Sequence, residues 1–376
     1  MKQVVFLSAQ KRKNVKFYNH RIVRLGIAVS KNAAINCIIT SADDFDIAAD
    51  RVTIKQGTIL KDGELAQQHF TDPLTPDYVF LSCDSEDPNE NLQSFKLLEH
   101  IAERGIPVNF DGDASKIDVK SILEERCKTF ELVSGLQILR PKTVIINGPG
   151  DKQKIVDFIK ANGASILKPH DSSRGRGIQT IATESQINQL IFGEDRYVLQ
   201  NLIPNPMTLN GYKIGLRVYL MIQDLRKPVY SIPEQGLVKL AVQPYIRGNA
   251  ESEIVGSSYA ERLGYTPVMY LFKDLLNSDQ KSTWTEIRYS IEKTLSLFME
   301  SVSWRANMSC RRLPSFQCWG VDIAIEVTDE GPKAHLIEVN TTPALYRNNV
   351  KADNATDIVF TNELFVKAVA GYSQDI

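Results

Sequence analysis

The sequence predicts an α+β protein with an N-terminal α/β unit, a small central lobe and a C-terminal lobe built on antiparallel strands. Three observations predict it. The first third alternates short apolar runs with an amphipathic helix. The middle repeats that alternation around a Ser/Gly/Arg loop, and the last third holds long alternating strands closed by a tight turn. A chain of 376 residues suits two or three packed lobes, and the boundaries read as 1–115, 116–203 and 204–376.

In the first lobe, residues 3–7 and 78–81 read as buried strands, being short β-branched and aromatic runs bounded by turn residues. Residues 91–104 read as a helix carrying Leu92, Phe95, Leu98 and Ile101 on one face and ended by Gly105, with a further strand at 106–110. A helix at 117–131 and a turn at Arg140-Pro141 lead into the central lobe, whose strands are 143–146 and 165–168 with a helix at 152–161 between them. The last lobe has strands 216–222, 237–243, 319–327 and 334–340. Its helix carries Trp284, Ile287, Ile291, Leu295, Phe298 and Val302 at steps of three and four, a stripe best read as core.

Composition narrows the function classes. Hydrophobic residues make up 43% and charged residues 24%, the profile of a soluble globular protein. Lys+Arg 44 against Asp+Glu 45 leave a net charge of -1, so no global field would hold the protein on nucleic acid or a membrane. The opening apolar run is too short for a signal segment, and no stretch approaches a membrane span. Cys37, Cys83, Cys127, Cys310 and Cys318 are scattered, odd in number and without a CxxC pair, which points to reduced thiols in the cytoplasm.

The segment WGVDIAIEVTDEGPKAHLIEVNTTPAL carries the most chemistry. Val321, Ile323, Ile325 and Val327 alternate with Asp322, Ala324 and Glu326, so one strand face is apolar and the other acidic. With a turn centred near Glu330, Asp322 lies across from Glu338 on the same face, and Asn340 follows one pleat later. Two facing carboxylates and an amide suit Mg²⁺, a hard cation that takes carboxylate and phosphate oxygens. Solvated acids on an edge hairpin are the plainer reading, but the apolar run before Glu338 argues for a buried strand, where an unpaired carboxylate is costly.

Upstream, Lys168 ends a strand and HDSSRGRGI follows. Glycines let a backbone close over phosphates, and N–H groups with cationic side chains supply the counter-charge. The loop is neither GxxxxGK[ST] nor a GxGxxG that opens a helix. The apolar strand that ends in Gln200, Asn201 and Leu202 suits an inter-lobe hinge whose backbone could read an adenine edge. Lys213, Arg217 and Lys239, on strands expected to pair, form a cationic patch set opposite the carboxylate hairpin, so that cations face acids across a cleft. That arrangement describes a site for a metal-bound polyphosphate.

In this order these residues resemble the ATP-grasp enzymes, and more narrowly the tubulin tyrosine ligase-like family. NPMTLNGYKIGLRVYLMI is similar to that family's P-x-L-L-x-x-x-K-F-D-x-R-x-Y/W-V-L-V signature, EQGLVKLAVQPY to E-G-x-x-R-x-x-x-x-x-Y, SFQCWGVDI to F-x-L-F-G-x-D, and HLIEVNTTPAL to L-x-E-V-N-x-x-P. The resemblance spans roughly residues 116–345. It implies the following roles. Lys168, with Lys120 from the preceding helix, would bind the ATP phosphates under a loop of Ser173, Arg174, Gly175, Arg176, Gly177 and Ile178. Gln200, Asn201 and Leu202 would line the adenine, and Lys213 would lie near the nucleotide. Arg217 and Lys239 would act on the transferring phosphoryl group, and Asp322, Glu338 and Asn340 would hold two Mg²⁺ ions. Three features depart from the family. Gly215 replaces an Asp, Lys239 replaces an Arg and loses its bidentate fork, and RGNAESEIVGSS stands where H-L-T-N is expected after Tyr245, which points away from a tubulin tail as substrate.

The implied function is an ATP- and Mg²⁺-dependent carboxylate–amine ligase that forms an acyl-phosphate and then an amide, adding an amino acid to an amino acid, peptide or protein. Two alternatives stand beside it. One is an ATP-grasp kinase of a polyol phosphate such as an inositol phosphate, which needs a denser basic pocket from residues such as Arg174, Arg176, Arg247, Arg311 and Arg312. The other is a non-catalytic nucleotide-binding scaffold.

Overall fold

The computed structural model describes residues 2–8, 35–48, 51–61, 64–83, 88–106, 108, 114–172, 175–227, 229–272, 281–308, 317–341 and 343. These residues form three sheets. The first contains β1 (Lys2–Ser8), β2 (Ile35–Ser41), β3 (Phe45–Ile47), β4 (Val52–Lys61), β5 (Glu64–Leu74) and β6 (Tyr78–Cys83). Its order is β3-β4-β2-β1-β6, with β5 on β4. β1 runs parallel to β2 and β6, while β3, β4 and β5 pair antiparallel. The helix α1 (Pro88–Glu103) buries Leu98 and Ile101 against this sheet and leaves Leu92 exposed. The strand expected at 106–110 is reduced to one bridge between Val79 and Val108, and most of its other positions lie outside the described residues. The antiparallel β3–β5 extension has no counterpart in the sequence reading, because its runs lack a sustained period of two.

The second unit opens with α2 (Lys120–Ser134), which follows a 3₁₀ turn at Ala114–Asp118 and ends where Gly135 takes a left-handed φ of 72°. Leu123, Cys127 and Phe130 of α2 pack into the core of the third sheet. Burial pushes the Cys127 thiol up to about 12 and the Cys37 thiol likewise to about 12, so both are inert apolar fillers. Arg140, expected in a turn, is a largely buried clamp whose side chain is 11% exposed. Its Nε lies 2.8 Å from Glu124, its Nη2 lies 3.0 Å from Glu131, and its Nη1 donates to the Ile138 carbonyl at 3.1 Å. Removing one partner of a buried ion pair strands the rest, so Arg140→Ala is expected to cost about 3–5 kcal/mol, read from the urea unfolding midpoint.

The second sheet holds β7 (Thr143–Ile146), β8 (Ser165–Pro169), β9 (Gln179–Ile181) and β10 (Tyr197–Asn201) in the antiparallel order β7-β10-β8-β9. The helix α3 (Lys152–Asn162) and the single turn α4 (Glu184–Ile187) accompany it, and Ile146, Ile155, Leu167, Ile181, Tyr197 and Leu199 form its core.

The third sheet contains β11 (Thr208–Leu209), β12 (Tyr212–Asp224), β13 (Val229–Ser231), β14 (Leu237–Leu240), β15 (Met269–Leu271), β16 (Gln317–Thr328) and β17 (Gly331–Asn340). Its main order is β15-β14-β12-β16-β17, and every pair is antiparallel. The strand expected at 237–243 stops at Leu240. Between β14 and β15 lie α5 (Ala250–Glu253) and α6 (Ser257–Arg262). The long helix α7 (Lys281–Asn307) buries Ile287, Ile291, Leu295, Phe298 and Val302 against the sheet, so the amphipathic stripe is core. Among the described residues no helix is long and apolar enough to cross a membrane.

Candidate active site

β12 is the central strand of the third sheet, and its register assembles the charged site. Arg217 stands opposite Leu237 on β14 and opposite Asp322 on β16, Gly215 stands opposite Lys239, and Asp322 stands opposite Glu338 on β17. The Arg217 guanidinium donates Nε to Asp322 Oδ1 at 2.6 Å and Nη2 to Oδ2 at 2.8 Å, and Lys239 Nζ donates to Oδ1 at 2.9 Å. The expectation that these cations face the carboxylates across a cleft is therefore corrected. They are neighbours in one sheet, because β12 pairs with β14 along one edge and with β16 along the other. Burial alone would raise the Asp322 pKa, but the charges of Arg217 and Lys239 outweigh it and hold the carboxyl well below the usual range.

Glu338 sits differently. Its side chain is 27% exposed, and Lys120 Nζ approaches its Oε1 only to 3.9 Å. Asn340 follows on the same strand, with its Nδ2 3.5 Å from the Gly320 carbonyl. Among the described residues no group of three His, Cys, Asp or Glu side chains converges to hold a metal. Two carboxylates and an amide can serve Mg²⁺ when phosphate oxygens complete the shell, which is the usual pattern for that ion.

The second sheet supplies the facing wall. Lys168 is buried on β8 and donates to Gln200 Oε1 at 2.7 Å, and Gln200 in turn donates to Thr143 Oγ1 at 3.1 Å. Its partner is thus a neutral amide. Burial lowers the Lys168 pKa from 10.5 to about 8, helped by Lys120 and Lys213 and opposed by Glu338 and Asp322. The charged form is disfavoured in the folded chain, so this group's penalty is fully present below about 8 and disappears above 10.5. A bound polyanion would reverse the shift. Anion affinity is therefore expected to fall as pH rises through about 8. ATP dissociation constants measured between about pH 6.5 and about pH 9.5 check this, and the slope should flatten in Lys168→Arg.

Between the two walls lies a cavity of about 410 Å³, within the range of about 300–1,000 Å³ common for small-molecule sites. The structure brings Lys168, Gly175, Ile178, Gln200, Asn201, Leu202, Lys213, Arg217, Lys239, Asp322, Glu338 and Asn340 to its lining. Lys120 is not part of the lining, but its Nζ spans from Glu338 to the Ser172 carbonyl, to which it donates at 2.5 Å. Arg176 and Gly177 are exposed and stand off the lining, and Ser173 and Arg174 lie outside the described residues. Asn201 Oδ1 is buried without a protein hydrogen-bond partner.

Two residues of the site escaped the sequence reading. Gly320 faces Tyr219, and a Cβ there would lie 2.7 Å from Arg217 Nη1 and 2.8 Å from Pro343 Cβ, so only glycine lets the guanidinium lie across β16. Its signal was present in WGVD, two residues before Asp322. Glu253 also lines the cavity, from the segment that read only as a departure, and its Oε2 lies 2.6 Å from Lys213 Nζ.

Two antiparallel sheets gripping a cavity lined by lysines, an arginine and paired carboxylates define an α+β protein of the ATP-grasp class. The sequence comparison is more specific. The profile of the tubulin-tyrosine ligase family matches residues 121–259 and 267–374, and the chain belongs to that family, whose members are ATP-dependent ligases forming amide or isopeptide bonds. Its relatives include the human probable tubulin polyglutamylase TTLL2, 26% identical over 72% of this chain and 47% of the relative. The Caenorhabditis briggsae tubulin polyglutamylase ttll-4 is 24% identical over 72% of this chain and 46% of the relative. The mouse tubulin polyglutamylase TTLL5 is 25% identical over 50% of this chain and 15% of the relative. The chain thus spans at most about half the length of these curated relatives.

Proposed function

We propose that the protein is an ATP- and Mg²⁺-dependent ligase that joins an amino acid, through its amine, to a carboxylate on an amino acid, peptide or protein. The observation that carries this reading is the single cavity wall on which Arg217, Lys239, Asp322 and Glu338 meet, faced by Lys168 from the other sheet. Family membership and relatives named as tubulin polyglutamylases support amide formation and a protein-borne acid. Adenine would lie at Gln200, Asn201 and Leu202, which line the cavity at the end of β10. Lys120, Gly175 and Ile178 would flank the phosphates, with Ser173, Arg174, Arg176 and Gly177 completing their loop. The central and C-terminal lobes would close on this cavity, whose lining runs from Pro141 to Asn340.

The substrate carboxylate oxygen attacks the γ-phosphorus and ADP leaves, giving an acyl-phosphate. Arg217 and Lys239, already gathered at Asp322, hold cationic donors where charge moves onto the transferred group. The amine nitrogen then attacks the acyl carbon, phosphate departs with the C–O bond electrons, and the nitrogen releases its proton to solvent. Asp322, Glu338 and Asn340 would hold the Mg²⁺, which supplies charge neutralisation of the polyphosphate.

The polyol-phosphate kinase reading needs a dense basic acceptor pocket. Among the described residues Arg217 is the sole arginine of the lining, and Arg247 is engaged by the carbonyls of Ile203 and Pro204 at 2.9 and 3.0 Å. The test is incubation with ATP, Mg²⁺, pooled amino acids and peptides, and hydroxylamine as surrogate amine. Hydroxamate with free phosphate is expected. A phosphorylated acceptor without free phosphate would establish the kinase instead, and absence of ADP from every pool would leave a nucleotide-binding scaffold.

A further inference from the structure

The cavity's cations are held in three different ways. Lys168 rests on a neutral amide, and Arg217 and Lys239 share Asp322. Lys213 has its own carboxylate. Glu253 Oε2 accepts from Lys213 Nζ at 2.6 Å, and the Glu253 side chain is wholly buried. The other oxygen is also committed, accepting from the Tyr245 hydroxyl at 3.2 Å and from the Gly248 N–H at 3.1 Å. A carboxylate with both oxygens engaged has little freedom to rotate, so the ammonium it holds is fixed as well.

The segment that delivers Glu253 is itself seated on β12. Ala241 N–H donates to the Lys213 carbonyl at 2.9 Å and Tyr245 N–H to the Gly211 carbonyl at 2.8 Å, at the lysine and two residues before it. Two residues beyond Glu253, Val255 lies flush against Gly215, with its Cγ1 3.2 Å and its Cβ 3.3 Å from the place a Cβ would occupy there. A Cβ at position 215 would stand closer to Val255 than an ordinary van der Waals contact, so Val255 would have to give by a few tenths of an ångström. Gly215 thus lets the segment that carries Glu253 pack closely on β12.

We propose that Glu253 is a positioning residue of the nucleotide cavity, which fixes the Lys213 ammonium at its wall, with Val255 docked on Gly215 setting its reach. The proposal rests on the nucleotide reading of the cavity given above. Glu253 touches no substrate in this account and acts only through Lys213.

The test is ATP affinity of the full chain by calorimetry, for the wild type, Glu253→Gln, Lys213→Met and the double variant. Loss of a charge-assisted contact should weaken ATP binding about tenfold in each single variant, and the double variant should lose no more than either. A merely structural pair would lower the urea midpoint without this coupling. Wild-type affinity in Glu253→Gln, or losses that add in the double variant, would overturn the proposal. A second route does not remove the ion pair. Gly215→Ala should weaken ATP binding, and adding Val255→Ala should restore it; no loss in Gly215→Ala, or a loss that Val255→Ala leaves in place, counts against the proposal. No ATP binding by the wild type would instead overturn the nucleotide reading, and this inference with it.

Discussion

Glu338→Gln is expected to lower ligase turnover by about 10³-fold while leaving the urea midpoint within about 0.5 kcal/mol of the wild type. The reason for so lopsided an effect is how little the fold asks of this carboxylate. Its side chain is partly exposed, and the Lys120 ammonium comes only to 3.9 Å from its Oε1, beyond hydrogen-bonding distance. The glutamine keeps the shape but loses the negative charge that a divalent cation and a polyphosphate would need between them. Turnover and urea unfolding measured on the same preparation check both halves of this expectation. Full activity in the variant would sink the metal assignment.

Asp322→Asn should behave in the opposite way on stability, although it lies directly across the ladder from Glu338. Here both activity and stability are expected to fall. The carboxylate is hydrogen-bonded by both Arg217 and Lys239, whose side chains are only 14% and 12% exposed, and its loss takes that shared negative charge away from two nearly buried cations. The cost is expected at about 2–3 kcal/mol, below the about 3–5 typical of a fully buried pair, because Asp322 itself keeps 27% of its surface. The depressed Asp322 pKa adds a sign. Stability from this group is present above the ordinary carboxylate range and is lost only in strong acid, as pH falls through the folded value. Urea midpoints of wild type and variant should therefore differ at neutral pH and converge as acid protonates the wild-type carboxylate.

Much of the site was legible in the chain because strands carry their chemistry at a period of two. The alternation around Asp322 marked one apolar face, and Val321, Ile323 and Ile325 are indeed buried, although Val327 at the strand end is 44% exposed. The lysines and Arg217 were legible as types on strands, and the expected pairing of the strands that carry Arg217 and Lys239 is observed between β12 and β14. Glu253 was not legible, because nothing local marks an acid on a single-turn helix as the partner of a lysine 40 residues earlier. Arg140 was hidden for a similar reason. Its two carboxylates sit on α2, and packing of that helix onto the third sheet buries Glu124 and leaves Arg140 and Glu131 only partly exposed.

The hairpin that carries the acids shows where the division falls. The sequence by itself determined that Asp322 and Glu338 belong to adjoining antiparallel strands, because apolar alternation and the turn at Asp329-Glu330 leave few other pairings. With a turn centred near Glu330 it also set them on one face, and the ladder does place Asp322 opposite Glu338, but by a route the sequence did not show. The ladder starts from Thr328 opposite Gly331 and runs to Ile323 opposite Leu336; continued unbroken, it would set Asp322 against Ile337 and turn Glu338 toward the core. The register instead shifts between Ile323 and Asp322, one residue of β17 goes unpaired, and Glu338 swings onto the cavity face. Such a shift is decided by tertiary contacts. α7 packs on β17, and Thr341, just beyond the strand, donates its N–H and hydroxyl to the Asp118 carboxylate at 2.6 and 3.0 Å. A period of two in the sequence cannot encode a one-residue slip, which only neighbours far along the chain can hold in place.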